Sequence, residues 1–201
     1  MTHPKQKQPP ASSRRPRRRI SWLRLPEPSA YAPAIRRLHE ESRVRLGYVR
    51  NFLRLPFEPD RLALYQGFLD RLMRSSDARL PAAERELLAL VASVENRCLV
   101  CVQTHAAALR KHGMEAKLVD ALTVSWHRAD LAPRQRALAE FAWKLTARPA
   151  EADESYIGGL RAAGLKEAEI LEAAQIVSIY NSNNRLNNVL GVRPNDEARA
   201  P

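Results

Sequence analysis

The stretch that decides the fold is LPAAERELLALVASVENRCLVCVQTH, residues 80–105. Pro81 stands where a first-turn proline belongs, because its missing N–H is one of the donors a helix start leaves unpaired anyway. Glu84 and Glu86 follow near the positive end of the helix dipole. Leu87, Leu88, Leu90, Val91 and Val94 cover one broad apolar face, so the segment reads as a helix packed on other helices. A second helix is predicted from about Cys98 to Lys111. It stops at His112-Gly113, where glycine suits a left-handed C-terminal cap.

The same pattern continues outward. A short helix is predicted over about 115–123. Asp130 and Pro133 start the next, in which Leu138, Phe141, Ala142 and Leu145 recur at i, i+3, i+4 and i+7, and Pro149 ends it. Residues 151–163 read as a further helix closed by Gly164. The last long helix runs from about 166 to 190 and ends at Gly191, before Pro194. Upstream, Ile20-Ser21-Trp22-Leu23-Arg24-Leu25-Pro26 reads as an extended lead-in pinned by Trp22, and Pro28 and Pro33 bracket a short loop. Residues 34–54 are helical in pattern, interrupted at Gly47. Asp60 is a candidate N-cap for a helix through about Met73, with Leu62, Leu64, Tyr65, Phe68, Leu69 and Leu72 as its apolar stripe. Ser75, Ser76 and Asp77 break the chain before residue 80. No strand or hairpin signal emerges, and the expected fold class is all-α.

The 201 residues suffice for one medium domain, and 45% hydrophobic content can build its core. No run of apolar residues is long enough to span a membrane, and residues 1–19 hold no apolar signal region. The net charge of +11 is misleading as a property of the whole domain. Residues 1–19 carry seven Lys and Arg and no acids, which leaves 26 basic and 22 acidic residues elsewhere. The expected organisation is a disordered basic tail over 1–19, a single all-helical domain over 20–194 and a short C-terminal tail over 195–201. The tail reads as a solvated extension, and no specific nucleic-acid partner is expected. The two cysteines, three residues apart, exclude a disulfide-rich secreted scaffold.

Shifting the sequence by 51 positions without gaps lays Arg85 on Arg136, Leu87 on Leu138, Leu90 on Phe141, Leu109 on Leu160 and Gly113 on Gly164. Two copies of one helix-turn-helix unit fit this register. In the second copy Glu86 becomes Ala137, Cys98 becomes Pro149, Cys101 becomes Ala152 and His105 becomes Tyr156. Packing positions persist while the reactive types vanish, which marks those four residues as chemistry.

Helical geometry puts Cys98, Cys101 and His105 within about a 60° arc of one face, with the cysteine α-carbons about 5 Å apart, inside the disulfide range. So short a loop gains little stability from closure, so a structural disulfide is disfavoured. Reactivity needs thiolate. The first turn of the helix favours negative charge there, and His105, one turn beyond Cys101, can take its proton. Glu86, on the preceding antiparallel helix, can act with it in proton transfer. The dipole argument points to Cys98 as the ionised thiol and the histidine to Cys101; a positioned base favours Cys101. Half a zinc site built from Cys98, Cys101, His105 and His112 is the rival, but one helix cannot wrap four ligands tetrahedrally around an ion. Glu86 as a mere helix-end charge is another, for which Glu84 is better placed. Asn181, Asn183, Asn184, Asn187 and Asn188 crowd the last helix, either as a solvated face or as a hydrogen-bonded wall of a pocket or subunit.

The spacing Glu86-x11-Cys98-x2-Cys101-x3-His105 resembles the alkylhydroperoxidase D family within the carboxymuconolactone decarboxylase superfamily. Ile20-Ser21-Trp22-Leu23, Leu80-Pro81-x2-Glu84-Arg85-Glu86-Leu87 and Tyr180-Asn181-x2-Asn184-Arg185-Leu186 resemble its peroxidase-related branch. The likeness runs over roughly 20–194. It implies an all-helical fold with an internal repeat, assembling into trimers, dimers of trimers or dimers. It also implies that Cys101 is the peroxidatic cysteine, that Cys98 resolves it, and that His105 with Glu86 relays protons. Leu99 and Val100 lie between the cysteines, where family members often carry an aromatic residue or histidine, so polar help from that position is absent. The expected function is a thiol-dependent hydroperoxide reductase in the cytoplasm. It needs no bound cofactor or metal, and its partners are a small-molecule hydroperoxide and an external dithiol or thioredoxin-like reductant. The alternative is a dithiol–disulfide oxidoreductase or redox sensor of the same fold without peroxidase activity.

Overall fold

A computed structural model describes residues 19–199; the basic tail expected over 1–19 lies, but for Arg19, outside them. Eight α-helices make up the fold, with short 3-10 turns between them and no strand among the described residues. They are α1 (Pro33–Leu46), α2 (Pro59–Arg74), α3 (Ala82–Glu95), α4 (Leu99–Lys111), α5 (Ala116–Ser125), α6 (Pro133–Ala147), α7 (Glu154–Ala162) and α8 (Glu167–Val189). None is long and apolar enough to cross a membrane.

Helix α3 is the hub. The sequence pattern offers it one broad apolar face, yet Leu87, Leu88, Ala89, Leu90, Val91 and Ala92 are all fully buried. The reason is that α4, α5, α6 and α8 pack around it, and α2 touches it too. Ala89, Ala92 and Ser93 supply the small side on which a neighbour can approach closely. Pro81 occupies the N-cap, one position earlier than expected, and Glu84 stands in the first turn. A second, smaller core joins Ile35, Val49, Phe52, Leu53, Leu55, Leu62 and Val192.

Three expectations are revised. Helix α2 starts at Pro59 with Glu58 as N-cap, so Asp60 lies inside the first turn. Its buried row is Leu62, Gln66, Leu69, Leu72 and Met73, while Leu64 and Phe68 are exposed. Residues 62, 66, 69 and 73 follow the helical repeat, and 64 and 68 fall outside that stripe. The lead-in is pinned by Ser21 rather than Trp22: Ser21 is buried and its hydroxyl donates to the Leu190 carbonyl at 2.7 Å. Trp22 N–H donates to the same carbonyl and Arg193 N–H to the Ile20 carbonyl, each at 2.9 Å. The Trp22 ring lies largely exposed over Gly191, where a Cβ would stand 2.4 Å from it. Finally, packing runs on past the boundary expected at 194. Asn195 is buried, accepts from Asn51 N–H at 2.8 Å and donates to the Val49 carbonyl at 3.0 Å.

The 51-residue register is visible in space. Ala82 maps on Pro133 and Ala116 on Glu167, so α3, α4 and α5 correspond to α6, α7 and the start of α8. Gly113 and Gly164 have φ of 85° and 82°. Arg85 donates to the Ser75 carbonyl at 3.4 Å, and Arg136 to that of Trp126, the equivalent position, at 3.3 Å. The repeated arginine thus ties down the end of the preceding helix. The copies part where Pro149 stands in for Cys98: a 3-10 turn covers Pro149–Glu151 and α7 begins only at Glu154. The first turn of α4, which carries Cys101, has no helical equivalent in the second copy.

Candidate active site

The turn between α3 and α4 shapes the site. Arg97 takes φ 53°, the left-handed region, and Cys98 N–H returns to the Ser93 carbonyl at 2.9 Å. This closure ends α3 in the manner of a Schellman motif. Cys98 is therefore the N-cap of α4, with extended backbone, rather than a residue of its first turn. Cys101 follows one turn later. The two sulfurs, both free thiols, are 3.0 Å apart and share a hydrogen bond.

Glu86 and His105 mirror each other across the α3–α4 turn. Glu86 Oε2 meets His105 Nδ1 at 2.6 Å, with both side chains largely buried. The His105 ring stands edge-on to Tyr180 at 4.4 Å. All four residues named from the sequence thus gather in one place, though His105 bonds Glu86 and makes no hydrogen bond to Cys101. A cavity of about 480 Å³ is lined by Cys101, His105, Glu86, Tyr180, Asn187 and Arg50. Cys98 is fully buried behind Cys101. His112 also lines the cavity, but no three His, Cys, Asp or Glu side chains among the described residues converge for a metal.

The thiols titrate as a pair. The Cys98 thiol is pulled below its ordinary value, chiefly by the Cys101 side chain and also by the backbone N–H groups of Cys101 and Val100. The Cys101 thiol is held well up by the same partner and by burial, against an opposing pull from Asn187, whose Nδ2 donates to its sulfur at 3.4 Å. Charge therefore makes Cys98 the more acidic of the two thiols, while Cys101 is the sulfur that lines the cavity. The 3.0 Å separation lets one proton pass between them.

The crowd of asparagines divides. Asn181, Asn184 and Asn187 point inward and Asn188 outward. Asn184 accepts from the Ser93 hydroxyl at 3.2 Å, and Asn181 from Asn96 at 2.9 Å. These contacts fasten α8 to the end of α3, leaving Asn187 for the sulfur. Arg50 and Gln66 are cavity residues that the sequence reading did not name, while Asn187 and Tyr180 entered it only through the asparagine run and the resemblance. The three-residue spacing of Asn181, Asn184 and Asn187 was the one available signal.

Comparison with known proteins bears on the family and the fold. The profile of the carboxymuconolactone decarboxylase family matches residues 59–142, from α2 into α6. A peroxidase-related protein from Ralstonia eutropha JMP134, described as an alkylhydroperoxidase AhpD core, is 33% identical with a TM-score of 0.83. The match covers 91% of this chain and 98% of that one. A peroxidase-related protein from Silicibacter sp. TM1040 is 28% identical with the same TM-score, over 90% of this chain and 95% of that one. The debrominase Bmp8 shares the fold at 19% identity and a TM-score of 0.72, over 90% and 94% of the two chains. Curated proteins gave no match. With one residue in three shared along almost the whole of the Ralstonia protein, and the family profile covering the α3–α4 hairpin that carries Glu86, Cys98, Cys101 and His105, the chain belongs to the carboxymuconolactone decarboxylase superfamily as an AhpD-like, peroxidase-related member.

Proposed function

We propose that the chain is a thiol-dependent reductase of organic hydroperoxides. The observation that carries this is the paired thiol, with sulfurs 3.0 Å apart, whose outer member shares a cavity with the Glu86–His105 pair. Loss of one proton from the pair leaves a thiolate, which transfer between the sulfurs puts on Cys101. That thiolate attacks the terminal oxygen of ROOH. The O–O bond breaks, an S–O bond forms, and the leaving alkoxide takes a proton from the His105–Glu86 relay and departs as ROH. Cys101 is now a sulfenic acid. Cys98 attacks its sulfur, hydroxide leaves with a proton as water, and a disulfide forms. An external dithiol reduces that disulfide and is itself oxidised, so no bound cofactor is required. Asn187 steadies charge on the attacking sulfur, and Tyr180 holds the imidazole plane.

Assembly of several copies, as trimers, dimers of trimers or dimers, is part of this reading. A cytoplasmic setting, where reduced dithiols are available, belongs to the same reading. The test is peroxide consumption coupled to a panel of dithiol donors. Turnover that depends on both cysteines supports the reading. Rapid dithiol–disulfide exchange without peroxide consumption replaces it with the oxidoreductase alternative.

A further inference from the structure

The cavity is markedly cationic. Arg45, Arg50, Arg74, Arg85 and Lys111 line it, and the one acid among the described lining residues, Glu86, is engaged by His105. Two of these cations have structural partners: Arg74 pairs with Asp70 on its own helix, and Arg85 holds the carbonyls of Leu72 and Ser75.

Arg50 is different. It enters from the turn before the 3-10 segment Asn51–Arg54, and its guanidinium reaches the cavity wall. Its Nη2 donates to Gln66 Oε1 at 2.7 Å. Its Nε is buried with no partner among the described residues, and so is Nε2 of the buried Gln66. No carboxylate among the described residues acts on it; burial first, and then the neighbouring charges of Arg45 and Arg74, pull its pKa down to about 10. It therefore stays protonated at neutral pH. A half-buried cation with no counter-charge among the described residues is costly, and both orphaned atoms are donors, so an acceptor is what the site lacks. A carboxylate offers two oxygens to such a fork and amide. Phe52, Leu69, Met73 and Val100 line the same cavity and can take an apolar body. About 480 Å³ suits a small organic molecule.

We propose that Arg50 and Gln66 form a carboxylate subsite, so that the molecule the cavity takes is an amphipathic organic acid whose far end reaches Cys101. This rests on the proposed peroxidase reading only in making that acid a hydroperoxide; the anion subsite stands on its own donors. It sets a carboxylate-bearing hydroperoxide above hydrogen peroxide as the substrate class.

Calorimetry with octanoate and octan-1-ol tests the subsite without any peroxide chemistry. Octanoate should bind the reduced protein at least about tenfold more tightly than octan-1-ol. Arg50→Gln should weaken octanoate by about tenfold or more and leave octan-1-ol nearly unchanged, with Arg50→Lys in between. Equal binding of the two ligands to the wild type overturns the proposal. So does octanoate binding that survives in a folded Arg50→Gln protein, which would leave Arg50 as a charge serving only the Cys101 sulfur. Should Arg50→Gln not fold, the wild-type ligand pair and Arg50→Lys decide. Absence of peroxide turnover alongside a clear octanoate preference removes the peroxidase reading and keeps the subsite; turnover without that preference does the reverse.

Discussion

Glu86→Gln separates chemistry from scaffolding at the centre of the site. The carboxylate lies 2.6 Å from His105 Nδ1, and the two side chains are only 12% and 5% exposed. A hydrogen bond to a charged group in such a setting contributes about 1.5–3 kcal/mol. Glutamine has the same shape and can still accept from the ring, so the folded state loses about 1 kcal/mol or less. An imidazole that passes protons in the rate-determining step loses the full charge-assisted share. At one decade per 1.36 kcal/mol this lowers kcat/KM roughly 10- to 150-fold. Stopped-flow peroxide consumption with a fixed dithiol, beside a melting curve, reads both quantities. Adding His105→Gln should then cost little more, since residues acting as one unit are not additive. Wild-type kcat/KM in Glu86→Gln from pH 5 to 9 would refute the relay. Full additivity of the two substitutions would show that the residues act separately.

Cys101→Ser should abolish peroxide consumption, and Cys98→Ser should leave a trappable sulfenic acid on Cys101; mass spectrometry finding the oxidised sulfur at Cys98 reverses these roles. The thiolate absorbance of the reduced protein should rise in two steps, one below and one above the ordinary thiol range, because Cys98 is shifted down and Cys101 up. In Cys101→Ala the Cys98 step should move back up, its largest lowering influence being gone. The lowered group adds stability as pH rises through its folded pKa toward the ordinary thiol value. The raised group loses its contribution above that value, so the reduced pair should favour folding most near the ordinary thiol pKa of about 8.5. A monotonic difference in melting temperature from a Cys98→Ser/Cys101→Ser double variant would contradict this. Gly191→Ala should destabilise by about 1–2 kcal/mol or more, since φ is 59° and the new Cβ meets the Trp22 ring. Gly67→Ala in α2, where a Cβ meets nothing, should instead stabilise by about 0.5–1 kcal/mol.

The α3–α4 hairpin was legible because its signals are local. Glu86, Cys98, Cys101 and His105 lie within twenty residues, and the helical spacing of Cys101 and His105 together with one tight turn brings them to one side. The 51-residue register was legible for the same reason, as were the glycine caps at 113 and 164. Position on α2 was not. Leu64 and Phe68 are as apolar as Leu62 and Leu69, and only the placement of neighbouring helices decides that Gln66 faces inward instead. Arg50 was hidden in another way. Among 33 Lys and Arg residues nothing local marks the one that donates to a buried glutamine in the cavity wall. Its meaning depends on Gln66 and on α8, which are distant in sequence. The N-cap place of Cys98 depends on the left-handed Arg97, which no glycine announced. The polar seam of α8 could be counted, but its use required the partners on α3.

The clamp between Ser21 and Leu190, and between Ile20 and Arg193, makes the packed body a closed ring in all but covalent terms. Its two ends are joined by hydrogen bonds of 2.7–2.9 Å. A short linker that starts beyond the packed Asn195 and returns to residue 20, with a new opening at the exposed Ser76-Asp77 turn, would rewire the chain while leaving each helix beside its present neighbours. Under tension the ring opens here first: a pull on the two ends loads these few bonds before it reaches α3. A force probe attached at the ends would therefore record the unfastening of this clasp as a small early event, with the thiol site still intact.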